Sequence, residues 1–336
     1  MEMCFKIANK TENHNGLEYI DDLNILVDNF DSDPNQSCCN EGLYFIDAKN
    51  IFKFLDHGVD HVQLVTLPTN NPNFRMVNDG KDKWRANMII LGKRYDLSNI
   101  NTFKYLIELG ADLHAKNDYA LRHSASNGCL QTVKFLIELG ADIHAKNDYA
   151  LRMSAQWGHL EVVKFLIIQG ADVHAENDYA LIMGARCGHL KVVKFLVKNG
   201  ADIHANNNIA LGLSAWNNHL EIVKILTENG ANIRANNNNA LRLGAQCGYL
   251  EVVKFLVENG ADIHAKNDYA LRMSAQWGHL EVVKFLIEKG ANIHAKNDYA
   301  LKQSAEKNHL EVVKILSENG ANVHVDNDYI FRWSAR

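Results

Sequence analysis

Apolar positions along this chain follow two different rules, and the change comes near Ser98. From there on they recur with a period of thirty residues, of which Asp268–Asn297, DYALRMSAQWGHLEVVKFLIEKGANIHAKN, is one complete copy. Complete copies start at Asp118, Asp148, Asp178, Asn208, Asn238, Asp268 and Asp298, flanked by partial copies at Ser98–Asn117 and Asp328–Arg336. Within a copy, Leu280, Val283 and Ile287 fall at i, i+3 and i+7. Val282, Phe285 and Leu286 widen that stripe, while Glu281, Lys284 and Glu288 are left for water, which predicts an amphipathic helix covered on more than one side. Gly290 stands as its C′ residue. Ahead of it, Tyr269–Gln276 predicts a shorter helix with Asp268 as N-cap and Gly278 as terminator, and Ala291–Asn297 reads as a short extended turn into the next unit. One such helix pair cannot bury its own apolar surface, so the period predicts a stack of units.

Residues 1–97 show no repeat and carry all three prolines, Pro34, Pro68 and Pro72. They are expected to form a small α+β domain ahead of an array at residues 98–336. Met3–Ala8 predicts a strand, and Asp47–His57 a helix capped by Asp47, ended by Gly58 and presenting Ile51, Phe52, Phe54 and Leu55 as its apolar side. Val59–Leu67 and Trp84–Leu91 predict strands, with Pro68–Asp82 as a polar loop between them. Asn99–Leu109 is a second helix without a full first one, so the N-terminal domain is expected to cover that end of the stack. At the other end Asp328–Arg336 is a first helix without a second, and Phe331 and Trp333 are expected to fray there.

Charge and cysteines narrow the classes. A net charge of −5, with acids and bases interleaved, provides no large basic field, which argues against nucleic acid as partner. The six cysteines, Cys4, Cys38, Cys39, Cys129, Cys187 and Cys247, form neither a disulfide framework nor a paired zinc pattern and fit a reducing compartment. The start MEMCFKIANK lacks the apolar core of a signal peptide, and no run reaches the roughly 20 apolar residues that span a bilayer, so no membrane association is expected.

Histidine recurs in two columns, one from His114 to His324 and one at His159, His189, His219, His279 and His309. Equivalent side chains in stacked units stand roughly 10 Å apart, too far to share one zinc ion with Zn–N bonds of about 2.0–2.1 Å. Turn and helix-start hydrogen bonding is therefore expected, with no metal and no cofactor. Asn117, Asn147, Asn177, Asn207, Asn237, Asn267, Asn297 and Asn327 mark turns that tolerate left-handed geometry. Ser124, Ser154, Ser214, Ser274 and Ser304 sit inside first helices, where small residues let helices approach. No catalytic residue is assigned, and Cys38, Cys39, His57, His61, Tyr44 and Trp84 have uninformative spacings.

The segment Gly-His-Leu-Glu-Val-Val-Lys-Phe-Leu followed by Gly-Ala-Asx-Ile-His-Ala resembles the ankyrin repeat. The resemblance implies a mainly α solenoid of helix-turn-helix units that binds a partner protein in a concave groove. Two departures stand out. Three residues are missing relative to the family's usual period, from the finger between Ala265 and Asp268, so short fingers are expected. The family's Thr-Pro-Leu-His reads Tyr269-Ala270-Leu271-Arg272, which loses the histidine that normally ties helix to finger. Gly42–Phe45 and Lys83–Ala86, placed before a thirty-residue repeat, are similar to the N-terminal part of ankyrin proteins of mimivirus-type giant viruses. That implies a viral protein, monomeric and acting on host proteins in the host-cell cytoplasm.

Between nearly constant neighbours, two adjacent positions at the end of each first helix vary: Ser126-Asn127, Gln156-Trp157, Arg186-Cys187, Trp216-Asn217, Gln246-Cys247, Gln276-Trp277 and Glu306-Lys307. In the ankyrin family these positions open onto the groove, so Gln156, Trp157, Arg186, Cys187, Trp216, Asn217, Gln246, Gln276, Trp277, Glu306 and Lys307 are expected to touch a partner. A packed interior would not exchange tryptophan for Cys, Asn and Lys at equivalent places, so the three tryptophans are expected to be exposed. The expected function is a non-enzymatic protein-binding scaffold. The alternatives are an array that targets an enzymatic N-terminal domain and an adaptor for a host ubiquitin ligase.

Overall fold

Short apolar runs before Ser98 pair into antiparallel β-structure. In this computed structural model, which describes residues 3–8, 13–14, 17–26, 30, 42–55, 59–78 and 82–324, the strands are β1 (Cys4–Ala8), β2 (Asn13–His14), β3 (Leu17–Glu18), β4 (Leu23–Ile25), β5 (Leu43–Asp47), β6 (His61–Thr66), β7 (Met76–Asn78), β8 (Trp84–Ala86) and β9 (Met88–Asp96). Seven of them form one sheet in the order β4-β9-β6-β1-β5-β8-β7, and β2 pairs with β3. The central pair runs from Cys4 opposite Val65 to Ala8 opposite His61. Phe5, Leu43, Phe45, Phe52, Val62 and Ile89 are buried around it. The expected strands at β1, β6 and β8–β9 are present; β7 lies inside the segment read as a loop.

The helix expected over Asp47–His57 is instead a 3₁₀ helix at Ala48–Lys53. Asp47 does not cap it. Its carboxylate accepts from Trp84 Nε1–H at 3.1 Å on the neighbouring part of the sheet, which leaves the helix start without a side-chain acceptor. Ile51, Phe52 and Leu55 are buried as expected, Phe54 only partly. Gly58, the expected terminator, lies outside the described residues, as do His57, Cys38, Cys39, Asn327 and the partial copy Asp328–Arg336.

Helices follow from Ile100. A single helix, Ile100–Glu108, precedes seven pairs whose first members run from Ala115–Ser126 to Ala295–Glu306 and whose second members run from Leu130–Glu138 to Leu310–Glu318. By contacts the chain divides into two compact units, Met1–Ser154 with Glu161–Asp172, and Ala155–Leu160 with Val173–Arg336. In the first, the strand-rich segment packs on the single helix: Phe52 stacks on Phe103 with centroids 5.7 Å apart and Tyr95 on Tyr105 at 5.0 Å. In the second, each second helix before the last buries a pair of β-branched residues and a leucine, for instance Val282, Val283 and Leu286, while the last buries Val312 and Leu316; Glu281, Lys284 and Glu288 face water. Leu280 and Ile287 stay partly exposed, so the buried stripe is rotated from the one expected.

The link into each first helix departs from expectation. In place of an extended turn, three successive residues take left-handed backbone: Lys266, Asn267 and Asp268 have φ of 52°, 58° and 52°, and the equivalent residues of the other six first helices do the same. Asn and Asp enter this region more readily than other residues with a Cβ, which accounts for the asparagine column and for the Asp or Asn after it. From that conformation Asp268 is not an N-cap. Its buried carboxylate accepts the backbone N–H of Asn292, in the turn that leads to the next unit, at 2.7 Å and meets His264 Nδ1 at 3.0 Å.

The same bond recurs 24 residues on in every unit, from Asp118 to the N–H of Asp142 at 3.1 Å through Asn208 to that of Asn232 at 2.7 Å and Asp298 to that of Asn322 at 2.9 Å. The receiving residue bonds onward, as Asp262 Oδ1 accepts from His264 N–H at 2.9 Å. A hydrogen-bonded chain thus runs from Asp262 through His264, Asp268, Asn292 and His294 to Asp298.

Asp268→Ala removes the buried acceptor of the Asn292 N–H and should cost about 1–3 kcal/mol. Asp268→Asn should cost clearly less, because Asn208 and Asn238 make the same bond at 2.7 Å. Urea midpoints at constant slope measure both, and equal losses would show that charge rather than the accepting oxygen carries the link.

Candidate protein-interaction face

The second, fifth, sixth, ninth and tenth residues of each unit lie within one or two turns of each other on one face of its first helix. At the second and fifth positions stand Tyr and Arg columns that the sequence reading passed over. Arg272 donates from Nε to the carbonyl of Asn267 at 2.8 Å and from Nη2 to that of Lys266 at 3.0 Å. Its guanidinium lies 5.5 Å from the Tyr269 ring and 5.2 Å from that of Tyr299, held by cation–π attraction. Arg122, Arg152 and Arg242 bond the same two carbonyls. The expected loss of the tie between helix and finger is therefore corrected: arginine remakes it by satisfying carbonyls of the left-handed run. The legible signal was Arg recurring one helical turn after Tyr.

The second histidine column serves stacking. His189, His219, His279 and His309 donate from Nε2 to the carbonyls of Gln156, Arg186, Gln246 and Gln276 at the end of the preceding first helix, at 2.9–3.1 Å. A carbonyl only accepts, so the proton sits on Nε2. Among the described residues no group of three or more His, Cys, Asp or Glu could hold a metal ion, and no helix is long and apolar enough to cross a membrane.

The expected partner residues divide into two kinds. Trp157, Trp216 and Trp277 are 59%, 40% and 55% exposed, and Arg186, Cys187 and Lys307 are exposed beside them. Gln156, Gln246 and Gln276 are half-buried and accept from the hydroxyls of Tyr179, Tyr269 and Tyr299 at 3.3–3.4 Å, so they also join units. Asn217 donates back to the carbonyl of Leu213 at 2.8 Å, and Glu306 accepts from Gln303 at 2.7 Å. Burial raises the pKa of Cys247.

Elsewhere, His61, Arg94, Asp96, His123 and Cys129 line an open cleft of about 660 Å³ in the first unit. Burial, then the Asp96 charge, raises the Cys129 thiol pKa. Tyr44 carries the Lys83 ammonium at 4.4 Å from its ring, so Tyr44, His61 and Trp84 are engaged separately. Lys6 Nζ lies 3.6 Å from the Tyr19 centroid, and burial lowers its pKa to about 8 while Tyr19 is pushed up to about 12.

Comparison with known proteins agrees with this geometry. A family model described as ankyrin repeats in three copies matches residues 96–177, 146–207, 181–267 and 241–327. The chain belongs to the ankyrin repeat family, and its helical part is an ankyrin-repeat solenoid. An uncharacterized protein of Acanthamoeba polyphaga mimivirus is 43% identical over 131 residues, 39% of this chain and 94% of that one. An ankyrin repeat protein of the same virus is 40% identical over 131 residues, 39% of this chain and 64% of its own length. The match thus spans nearly all of one relative and less than two thirds of the other. Among solved structures, the ankyrin repeat domain of human ASB11 superposes with a TM-score of 0.53 at 24% identity, over 60% of this chain and 98% of that domain, which is a likeness of fold.

Two outcomes test these packing roles. A Cβ on Gly248, at φ +78°, would fall 2.4 Å from His279 Nδ1, whereas one on Gly260, at φ +95°, would meet nothing within 4 Å. Gly260→Ala should cost about 1–2 kcal/mol for its left-handed backbone, and Gly248→Ala a further 1–3 kcal/mol or so from overpacking; in a His279→Ala background that excess should vanish in a denaturation double-mutant cycle. For Lys6, the unfolded chain holds its proton to higher pH than the folded one. Stability should therefore rise from about pH 8 toward pH 10, where Tyr19 begins to oppose it. Lys6→Met should flatten that rise in urea midpoints.

Proposed function

We propose that this chain is a non-enzymatic scaffold that holds a partner protein, in a host cell a host protein, against the exposed face of its first helices. Trp157, Trp216 and Trp277 are the anchors, with Arg186, Cys187, Asn217, Glu306 and Lys307 around them and Gln156, Gln246 and Gln276 shared between partner and neighbouring unit. The observation that carries this reading is the exposure of three large aromatic rings at the ends of first helices in which Ala155, Ala215 and Ala275, one or two residues before them, are buried. Aromatic and arginine side chains supply most binding energy where they can be desolvated by a partner. Residues 1–97 act in this reading as a separate domain that covers the start of an array at residues 98–336, and the chain works as a monomer.

The first-unit cleft is the place where a small-molecule activity would sit. Its one thiol, on Cys129, is held protonated by burial and the Asp96 charge, which makes it a poor nucleophile and favours the scaffold reading.

Replacing Trp157, Trp216 and Trp277 together by Ser should leave the thermal midpoint nearly unchanged and weaken capture of proteins from infected-cell extract, each true anchor contributing on the order of 2 kcal/mol. Early melting would make the rings structural; a stable variant that captures the same proteins would remove the face from the binding site.

A further inference from the structure

Charge is distributed unequally between the two helices of a unit. On four of the five second helices of the second compact unit a lysine stands between two glutamates, Glu221 with Lys224 and Glu281 with Lys284 pairing at 2.7 Å, whereas Leu190–Lys198 carries Lys191, Lys194 and Lys198 and no acid. On the face formed by the second, fifth, sixth, ninth and tenth residues of the five units from Asp178, the charged residues are Arg186, Arg242, Arg272, Lys302 and Lys307 against Glu306 alone. A chain of net charge −5 therefore presents a locally cationic face.

The unit at 208–237 breaks the pattern of that face. Where the units at 148–177 and 268–297 carry Tyr, Arg and Gln, it carries Ile209, Gly212 and Trp216, with Leu213 between them. Its first helix, Ala205–Trp216, buries Ala210, Leu211 and Ala215 on its inner side. Ile209 and Leu213 remain partly exposed and Trp216 is 40% exposed on the other, so this one helix has two apolar sides. Arg186 is exposed in the unit before. Arg242 in the unit after is half-buried and stacks on only one ring, Tyr269 at 5.1 Å, because Asn239 replaces the tyrosine that would cover its other side. Arg272, between two rings, is buried.

We propose that the face between Arg186 and Arg242 receives an acidic polypeptide segment, a large apolar side chain seating on Ile209, Leu213 and Trp216 while carboxylates on either side meet the two arginines. Helices of neighbouring units pack roughly 10 Å apart, about three residues of extended chain at 3.3 Å each. The segment therefore reads Asp/Glu-x-x-apolar-x-x-Asp/Glu. A nucleic acid, with its charges every few ångströms, is disfavoured by cations this sparse. The proposal rests on the scaffold reading and narrows it to one class of partner.

The test is selection of a random dodecapeptide phage library against the full chain, followed by titration of a recovered synthetic peptide. The recovered sequences should be enriched in the acidic–apolar–acidic spacing. Peptide affinity should fall about tenfold or more with Arg186→Glu, and likewise with Trp216→Ser, and weaken with salt, as charge pairing across an interface requires. Arg186 is exposed, so the melting curve of Arg186→Glu should not move; Arg186→Gln is the second variant, with a smaller loss. Selection against Arg186→Glu should shift the recovered peptides toward basic residues. Peptides without acidic bias that still depend on Trp216 would overturn the partner class and leave the scaffold reading standing. Peptides indifferent to the triple tryptophan substitution would sink both readings. A single-stranded oligonucleotide that binds with the same dependence on Arg186 would replace the acidic peptide by a polyanion.

Discussion

The bond that a buried Asp or Asn side chain accepts from a backbone N–H in the turn leading to the following unit is the constraint on which the array depends. Hydrophobic burial alone would let neighbouring units slide, because Val282, Val283 and Leu286 have equivalents at every step. A buried acceptor that must meet one particular N–H permits a single register. Three left-handed residues are conformationally costly, and they are held because they deliver that acceptor and, in the four units with arginine at the fifth position, because that arginine takes up two of their carbonyls. The shortened finger is thus a tighter connection in which side chains supply the bonding.

Stacking and display are divided among the residues of the first helix. Tyrosine, arginine and histidine bind one unit to the next, through ring contacts and through donation to the last carbonyls of the preceding helix. A small set of side chains on these helices takes no part in the ties. Trp157, Trp216 and Trp277 belong to it, and so does the arginine exposed at Arg186. Departures from the repeat are therefore the informative places, and they concentrate in the units that start at Asp178, Asn208 and Asn238. Asn218 replaces glycine at φ 60° and Tyr249 replaces the histidine that would lie over it, so even here two changes accompany each other.

The strand-rich segment obeys a different physics. Its strands are short and paired across long sequence separations, as β1 with β6 and β4 with β9, and its side chains are tied by particular contacts such as that of Trp84 with Asp47. Burial of Phe52 against Phe103 and stacking of the half-buried Tyr95 on Tyr105 join it to the first helix of the array.

By itself the sequence determined the helix pairs, their thirty-residue spacing, the water-facing charges of the second helices and the exposure of the three tryptophans. All of these follow from local periodicity or from comparison between copies. Tertiary structure alone decided that Asp268 bonds the turn leading to the next unit rather than capping its own helix, that the turn is left-handed rather than extended, and that Gln156, Gln246 and Gln276 are held by tyrosines one unit on. An N-cap and a staple between units ask for the same residue at the same place, so the letter Asp cannot distinguish them; only the backbone conformation and the neighbour it faces can. For the same reason Asp47 read as a cap and is instead the acceptor of an indole N–H brought to it by the pairing of β5 with β8.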